Sequence, residues 1–212
     1  MHALEQKKQA TITQIKKFYD LSAAQIKALE DFILLLLQES NEYNLIGKST
    51  IDDIWNRHIF DSAQLMQYIG NKNVKVADFG TGAGFPGVVL SLMGVKEMHL
   101  VEKSFRKCEF LRKAKLLSPE RVFIHQAKLE ELSERKFDII TSRALASLDK
   151  LLAYSKKFLK NDGYTLFLKG KNLDQELEIA KTQFSFSYEL FPSLTSSESR
   201  IVKLSNINEL AK

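Results

Sequence analysis

Residues 76 to 87 read VADFGTGAGFPG, an apolar run followed by four glycines in eight positions. A turn this rich in glycine admits positive φ and lets a ligand come close to the backbone, which packing alone rarely requires. Placed after a strand and before a helix, its amides form a cradle for a small polar ligand. The stretch has two registers. From Gly80 it is an acid followed by alternate glycines, Asp78-x-Gly80-x-Gly82-x-Gly84, and from Gly82 it is the dinucleotide pattern G-x-G-x-x-G. The dinucleotide pattern needs its first glycine directly after the strand. Here the strand is expected to end at Phe79, so Gly80 sets the register, and the third glycine position then falls on Phe85.

The rest of the chain says which fold surrounds this turn. VKVADF, MHLVE, RVFIH, FDIIT and YTLFLK are short β-rich runs, with helical stretches predicted over 104–117, 144–159 and 173–182. FSYELF and SRIVKL, joined by a polar loop, predict a closing antiparallel pair. The expectation is an α/β fold, a three-layer Rossmann-like arrangement on a sheet of seven mostly parallel strands with an antiparallel edge. Before residue 74 only helices are predicted: one over 4–18, one opened by the capping box Ser22-Ala-Ala-Gln25 and ending near Asn44, and one over 51–69. The domain reading is an N-terminal helical extension, 1–70, on a core at 71–212. Its 212 residues, 44% hydrophobic and 27% charged, suit one such unit.

Function classes narrow further by composition. The longest apolar run, Phe32 to Leu37, is far below the ~18 residues of a membrane span, and the N-terminus carries charge from its fifth residue, so a cytoplasmic location and no membrane partner are expected. The single cysteine, Cys108, excludes an internal disulfide and a multi-cysteine metal site, and is read as a small core residue. A net charge of +5 favours a polyanionic partner. The basic run Lys103, Arg106, Lys107, Arg112, Lys113 and Lys115 is read as a polar helix face, either simply exposed to solvent or in part holding RNA.

In an open parallel sheet the ligand residues stand at the carboxyl ends of strands. Glu102, ending the second strand, suits ribose hydroxyls of either cofactor. Asp78 discriminates: a methyl donor with an amino acid end offers it a cation, whereas a pyrophosphate is repelled. With S-adenosyl-L-methionine as donor, absences narrow the acceptor. The three prolines, Pro86, Pro119 and Pro192, supply no Pro-Pro-aromatic turn for exocyclic amines, and Cys108 is misplaced as a nucleophile for a pyrimidine carbon. The fourth strand ends in Thr141-Ser142-Arg143-Ala144. An arginine there suits guanine N7, whose lone pair needs alignment and not a base.

DFGTGAGFPG at 78–87, RHIFDS at 57–62, SRALASL at 142–148 and LKG at 168–170 closely resemble the bacterial 16S rRNA guanine-N7 methyltransferases (RsmG, also called glucose-inhibited division protein B). The resemblance covers about residues 25 to 205. It implies a class I methyltransferase with a helical extension, S-adenosyl-L-methionine as donor, and 16S rRNA or the small ribosomal subunit as partner. By position, it puts cofactor contacts on Gly80, Phe85, Leu129, Glu130 and Arg143. The family's usual Ala-Glu is Leu129-Glu130 here, and Glu131 leaves a one-residue ambiguity. Asp78, Gly82 and Glu102 complete the expected cofactor set. Arg143, Lys169 and His58 form the expected catalytic set, with Lys169 facing a phosphate or the guanine edge. Arg57, His58 and Asp61 are read either as an RNA or cofactor rim or as a local structural pair, His58 and Asp61 meeting on one helix face. The chain is expected to act as a monomer. The other function classes in play are a nucleotide-dependent oxidoreductase and a non-catalytic rRNA-binding assembly factor.

Overall fold

The computed structural model describes residues 2–40, 43–133 and 135–211. Its strands are β1 (Lys75–Phe79), β2 (Glu97–Glu102), β3 (Arg121–Gln126), β4 (Phe137–Arg143), β5 (Leu159–Lys169), β6 (Phe184–Pro192) and β7 (Arg200–Glu209). They lie in one sheet in the order β3-β2-β1-β4-β5-β7-β6. β1 to β5 are parallel, and β7 runs antiparallel to both of its neighbours. The predicted antiparallel pair is present, with the last strand inserted between β5 and β6. Chain order reverses between β1 and β4, which opens a crevice beyond their carboxyl ends.

The helices are α1 (His2–Ile15), α2 (Ala23–Ser40), α3 (Gly87–Leu92), α4 (Phe105–Ala114), α5 (Leu148–Phe158) and α6 (Leu173–Lys181). α2 starts as its sequence predicts. The Gln25 amide donates to Ser22 Oγ at 3.2 Å, and the Ser22 amide donates to Gln25 Oε1 at 3.1 Å. The predicted end near Asn44 falls beside residues 41 and 42, which lie outside the described residues.

The single helix predicted over 51–69 is instead a composite. It runs as 3₁₀ turns at Lys48–Asp53, a π-helical stretch at Trp55–Phe60, one α turn at Asp61–Ala63 and 3₁₀ turns at Gln64–Tyr68. Apolar spacing reports which residues are buried, here Ile54, Trp55, Ile59 and Leu65, but not the pitch of the backbone that buries them. π-helical turns are frequent at functional sites.

Each sheet face carries its own apolar layer. On one side Val76, Met98, Leu100, Ile139 and Leu166 pack with α2, α3, α4 and the composite segment, so the N-terminal extension shares a core with the sheet. On the other, Ala77, Phe79, Ile140, Phe167 and Val202 pack under α5 and α6. Cys108 is buried in the first helix after β2, its thiol donating to the Glu102 carbonyl at 3.3 Å. Among the described residues no helix is long and apolar enough to cross a membrane.

Candidate active site

The glycine turn leaves β1 at Phe79 and does not reach a helix until Gly87. Between them Gly80, Gly82 and Gly84 all take positive φ, at 67°, 58° and 93°. The helix therefore begins far too late for a dinucleotide fingerprint, and Pro86 caps it from outside its first turn. The anion position at its N-terminus is already filled by the protein. The Gly87 amide donates to Asp78 Oδ2 at 2.9 Å, and Thr141 Oγ1 donates to Asp78 Oδ1 at 3.0 Å. A pyrophosphate has no place there, which removes the main structural support for the oxidoreductase reading.

Asp78, expected to meet a donor's amino group, is instead fully buried behind the turn, where its carboxylate shapes the loop from within. Burial pushes its pKa up to about 6, with hydrogen bonds from neighbouring groups offsetting part of that rise.

A cavity of about 430 Å³ lies in front of the turn, lined by Gly80, Gly82, Glu102, Ala127, Leu129 and Glu130 among others. Glu102 accepts one hydrogen bond on each oxygen, from the Gly82 amide at 3.1 Å and the Ser104 amide at 2.8 Å. Its remaining lone pairs are available to the hydroxyls of a ribose. Leu129 is 8% exposed and continues the apolar layer beneath α5 into the cavity wall. The two glutamates point in different directions. Glu130 faces the cavity and accepts from the Tyr154 hydroxyl, whereas Glu131 turns back to accept from the Lys128 amide at 3.3 Å. Turn, carboxylate and apolar wall together fit S-adenosylmethionine: a cradle with no Cβ, an acceptor for ribose, and an apolar slot for the base.

Next to it, a second cleft of about 710 Å³ is lined by Thr50, Arg57, His58, Asp61, Arg143 and Lys169 among others. Ala144, Leu145 and Ala146 line both spaces, and Ala144 holds a positive φ of 53° that turns this segment between them. Leu145 is the partition: a Cβ on Gly80 would stand 2.5 Å from its Cδ1. Gly80→Ala thus combines a strained φ with displacement of Leu145. We expect roughly tenfold weaker donor binding by calorimetry and little loss of stability, since the Leu145 side chain is 41% exposed and free to yield. Unchanged affinity would mean that Gly80 does not face the donor.

Arg143 stands in the second cleft and does not line the first. Its Nη1 donates to the Arg57 carbonyl at 3.0 Å and to Asp61 Oδ2 at 3.2 Å, and Nη2 donates to His58 Nδ1 at 3.0 Å. The guanidinium also lies 5.2 Å from the Phe85 ring centroid. Because a guanidinium only donates, His58 Nδ1 must accept. His58 Nε2 then carries the proton and donates to Thr50 Oγ1 at 2.9 Å, whose own hydroxyl donates to the Gly47 carbonyl at 2.7 Å. Burial, then the Arg143 and Arg57 charges, lower the His58 pKa to about 4. His58 and Asp61 do not bond each other, as local spacing suggested; each bonds Arg143. Asp61 Oδ1 meanwhile accepts from Thr195 Oγ1 at 2.8 Å, which ties the β6–β7 loop to the same centre.

Two further expectations are corrected. Phe85 is 3% exposed and packs between Phe32 and the His58 ring, with centroids 5.3 Å and 4.8 Å away, so it supports Arg143 and does not line the donor cavity. Lys169 lines the second cleft with its ammonium already engaged by protein groups. It is ion-paired with Glu176 and donates to the Ala146 carbonyl at 2.9 Å, while Glu176 accepts from the Leu148 amide at 2.8 Å. Lys169 thus fixes the partition segment. Sequence reasoning passed over Leu145, Thr50, Tyr154 and Thr195. Leu145 stood inside SRALASL, but nothing local marks a leucine as a partition.

Comparison with known proteins fits this geometry. Residues 25–202 match the family model described as GidB, rRNA small subunit methyltransferase G. The chain is 40% identical over 186 residues to the ribosomal RNA small subunit methyltransferase G of Orientia tsutsugamushi strain Boryong, covering 88% of this chain and 93% of that protein. To the protein of the same name from Rhodospirillum rubrum it is 37% identical, covering 89% and 94%. Among solved structures, the ribosomal protein L11 methylase of Lactobacillus delbrueckii subsp. bulgaricus superposes with a TM-score of 0.58 at 19% identity, covering 69% of this chain and 76% of that one. TYW2 of M. jannaschii, solved in complex with AdoMet, gives 0.54 at 17%, covering 78% of each chain. These two share the class I methyltransferase fold. With a family model over most of its length and relatives matched nearly end to end, the chain belongs to the rRNA small subunit methyltransferase G family.

Proposed function

We propose that the chain transfers a methyl group from S-adenosylmethionine to N7 of a guanine in small-subunit rRNA. The observation that carries this reading is the pair of spaces meeting at Leu145, a donor cavity behind it and a cleft in front holding Arg143 with no free base. S-adenosylmethionine supplies an electrophilic methyl on a positively charged sulfur. The guanine N7 lone pair forms the new carbon–nitrogen bond as the carbon–sulfur bond breaks, the electron pair stays on sulfur, and the positive charge moves to the guanine. No proton leaves N7, so the cleft requires alignment and a suitable field in place of a general base.

The residues match that need. His58 is held neutral with Nδ1 occupied by Arg143, which makes it unfit as a base and keeps a further positive charge away from a guanine about to become cationic. Arg143 has more N–H donors than its three acceptors use, and the remainder suit guanine O6. A donor placed on N7 itself would block attack. Arg143 therefore serves by holding O6 and turning N7 toward the partition.

The pH dependence tests this account. Below about pH 4 His58 takes a second proton, and its Nδ1 becomes a donor facing the Arg143 guanidinium. The folded-state pKa is lowered from 6.5, so the unfolded chain binds this proton first. Stability from His58 is full above pH 6.5 and is lost as pH falls through 4. We expect kcat to vary by less than about twofold from pH 7 to 8 and to fall below about pH 6, where the buried Asp78 that shapes the loop takes up its proton ahead of His58. A tenfold rise per pH unit in the neutral range would reveal a titrating base and contradict the mechanism. The acceptor is tested by incubating the protein with methyl-labelled donor and small subunits from a strain lacking this activity. Label in guanine is expected, and label confined to adenine or cytosine would overturn the reading. Tight NADH binding without S-adenosylmethionine binding would revive the oxidoreductase.

A further inference from the structure

The donor cavity is ringed by Lys103, Lys107, Lys128 and Lys150. Among the described residues only Lys128 reaches a carboxylate, Glu131 at 3.7 Å. Lys103, Lys107 and Lys150 form no ion pair among the described residues, and Lys103 and Lys150 are exposed. The basic run, which begins at Lys103 ahead of α4, is thereby divided. Arg112 and Lys113 pair with Glu109 and Glu39, and Arg106 lies over Tyr43, leaving Lys103 and Lys107 turned to the cavity. In the neighbouring cleft, Arg143 and Lys169 are tied to carboxylates, and exposed Arg57 has none among the described residues.

S-adenosylmethionine does not account for these lysines. It carries a sulfonium, an ammonium and one carboxylate, so it is a net cation with no phosphate. Its carboxylate satisfies one ammonium and its positive charges are repelled by the others. Of the cavity's acids, Glu102 and Glu130 offset two of these four ammonium charges, and the net positive charge of the bound donor restores one. Unpaired cations on the lip of a site for a cationic ligand point to a second, polyanionic occupant of that lip.

We infer that the RNA being methylated lies across the mouth of the donor cavity, its phosphates on Lys103, Lys107 and Lys150. This rests on the methyl-transfer reading above. The donor must then load before the RNA, and the demethylated product cannot leave until the RNA has gone. RNA neutralises the lysines around the donor, so by linkage each of these ligands tightens the other.

The test is the release rate of tritiated S-adenosylhomocysteine from the full chain in an unlabelled chase, alone and with saturating small subunits from a strain lacking this activity. Release at least tenfold slower on the subunit is expected. The double variant Lys107→Gln, Lys150→Gln should restore fast release on bound subunits and flatten the salt dependence of subunit binding by a slope of roughly 1.5, corresponding to two phosphates. Equal release rates with and without bound subunits, or an unchanged salt slope, would overturn the inference. If the wild type methylates guanine N7 while release is unaffected, this inference fails and the function stands. If subunits are neither bound nor methylated, the function fails with it.

Discussion

Arg143→Ala is expected to lower kcat by roughly 10²- to 10³-fold, more than any other single change in the acceptor cleft. The arginine connects the end of β4 to the Arg57 carbonyl, Asp61 and His58, all on the π-helical stretch or the turn after it. Alanine removes both the donors proposed for guanine O6 and the clamp that sets the cleft's width. It also leaves Asp61, whose side chain is 15% exposed, without its cation. A fully buried broken pair costs 3–5 kcal/mol; partial exposure here reduces this to about 2 kcal/mol, so the variant should fold. Arg143→Lys should not rescue turnover, because one ammonium cannot reproduce a planar fork reaching three acceptors. Single-turnover rates for the two variants within fivefold of wild type would show that Arg143 is structural only.

Gly87→Ala is expected to be the most destabilising small substitution in the glycine turn. A Cβ there would lie 2.3 Å from Leu100 Cδ2 and 2.9 Å from Asp78 Oδ2, and both of those side chains are fully buried. Overpacking of this kind costs about 1–3 kcal/mol, and dislodging the Gly87 amide from the buried Asp78 carboxylate adds a similar amount. A total near 4 kcal/mol corresponds to a fall in Tm on the order of 10 °C for a chain of this size. Gly70→Ala is the control, since no heavy atom lies within 4 Å of a Cβ at that position. Calorimetry showing the two variants melting within about 2 °C of each other would refute the steric account.

Much of this architecture was legible because it depends on local chemistry. The β-rich runs, the capping box at Ser22 and Gln25 and the strand end at Phe79 are each specified by a few adjacent residues, and all appear in the structure. The turn keeps the register that Gly80 sets, because Gly80 follows the strand directly and the helix waits until Gly87. What stayed hidden were directions of side chains across the fold. Asp78 sits beside the cradle in sequence, yet strand alternation aims it away from the cavity and toward the α3 amide. Lys169 ends a strand at the cleft, but its partner Glu176 comes from a helix that sequence could not place against it. Asp61 and Thr195 are separated by 134 positions and meet only because the extension and the β6–β7 loop close over the same crevice.

Direct attack on the donor by a guanine ring nitrogen, without a base, leaves the methyl group on N7. It is tested most directly by mapping the methyl group on RNA recovered from treated small subunits. A guanine methylated at N7 has a cationic ring that borohydride reduces and aniline then cleaves, breaking the chain at that nucleotide. One new break is expected, dependent on both the protein and S-adenosylmethionine and lost with Arg143→Ala. Methyl incorporation without any new break would place the group on an exocyclic amine, a carbon or a ribose, and would contradict attack by N7.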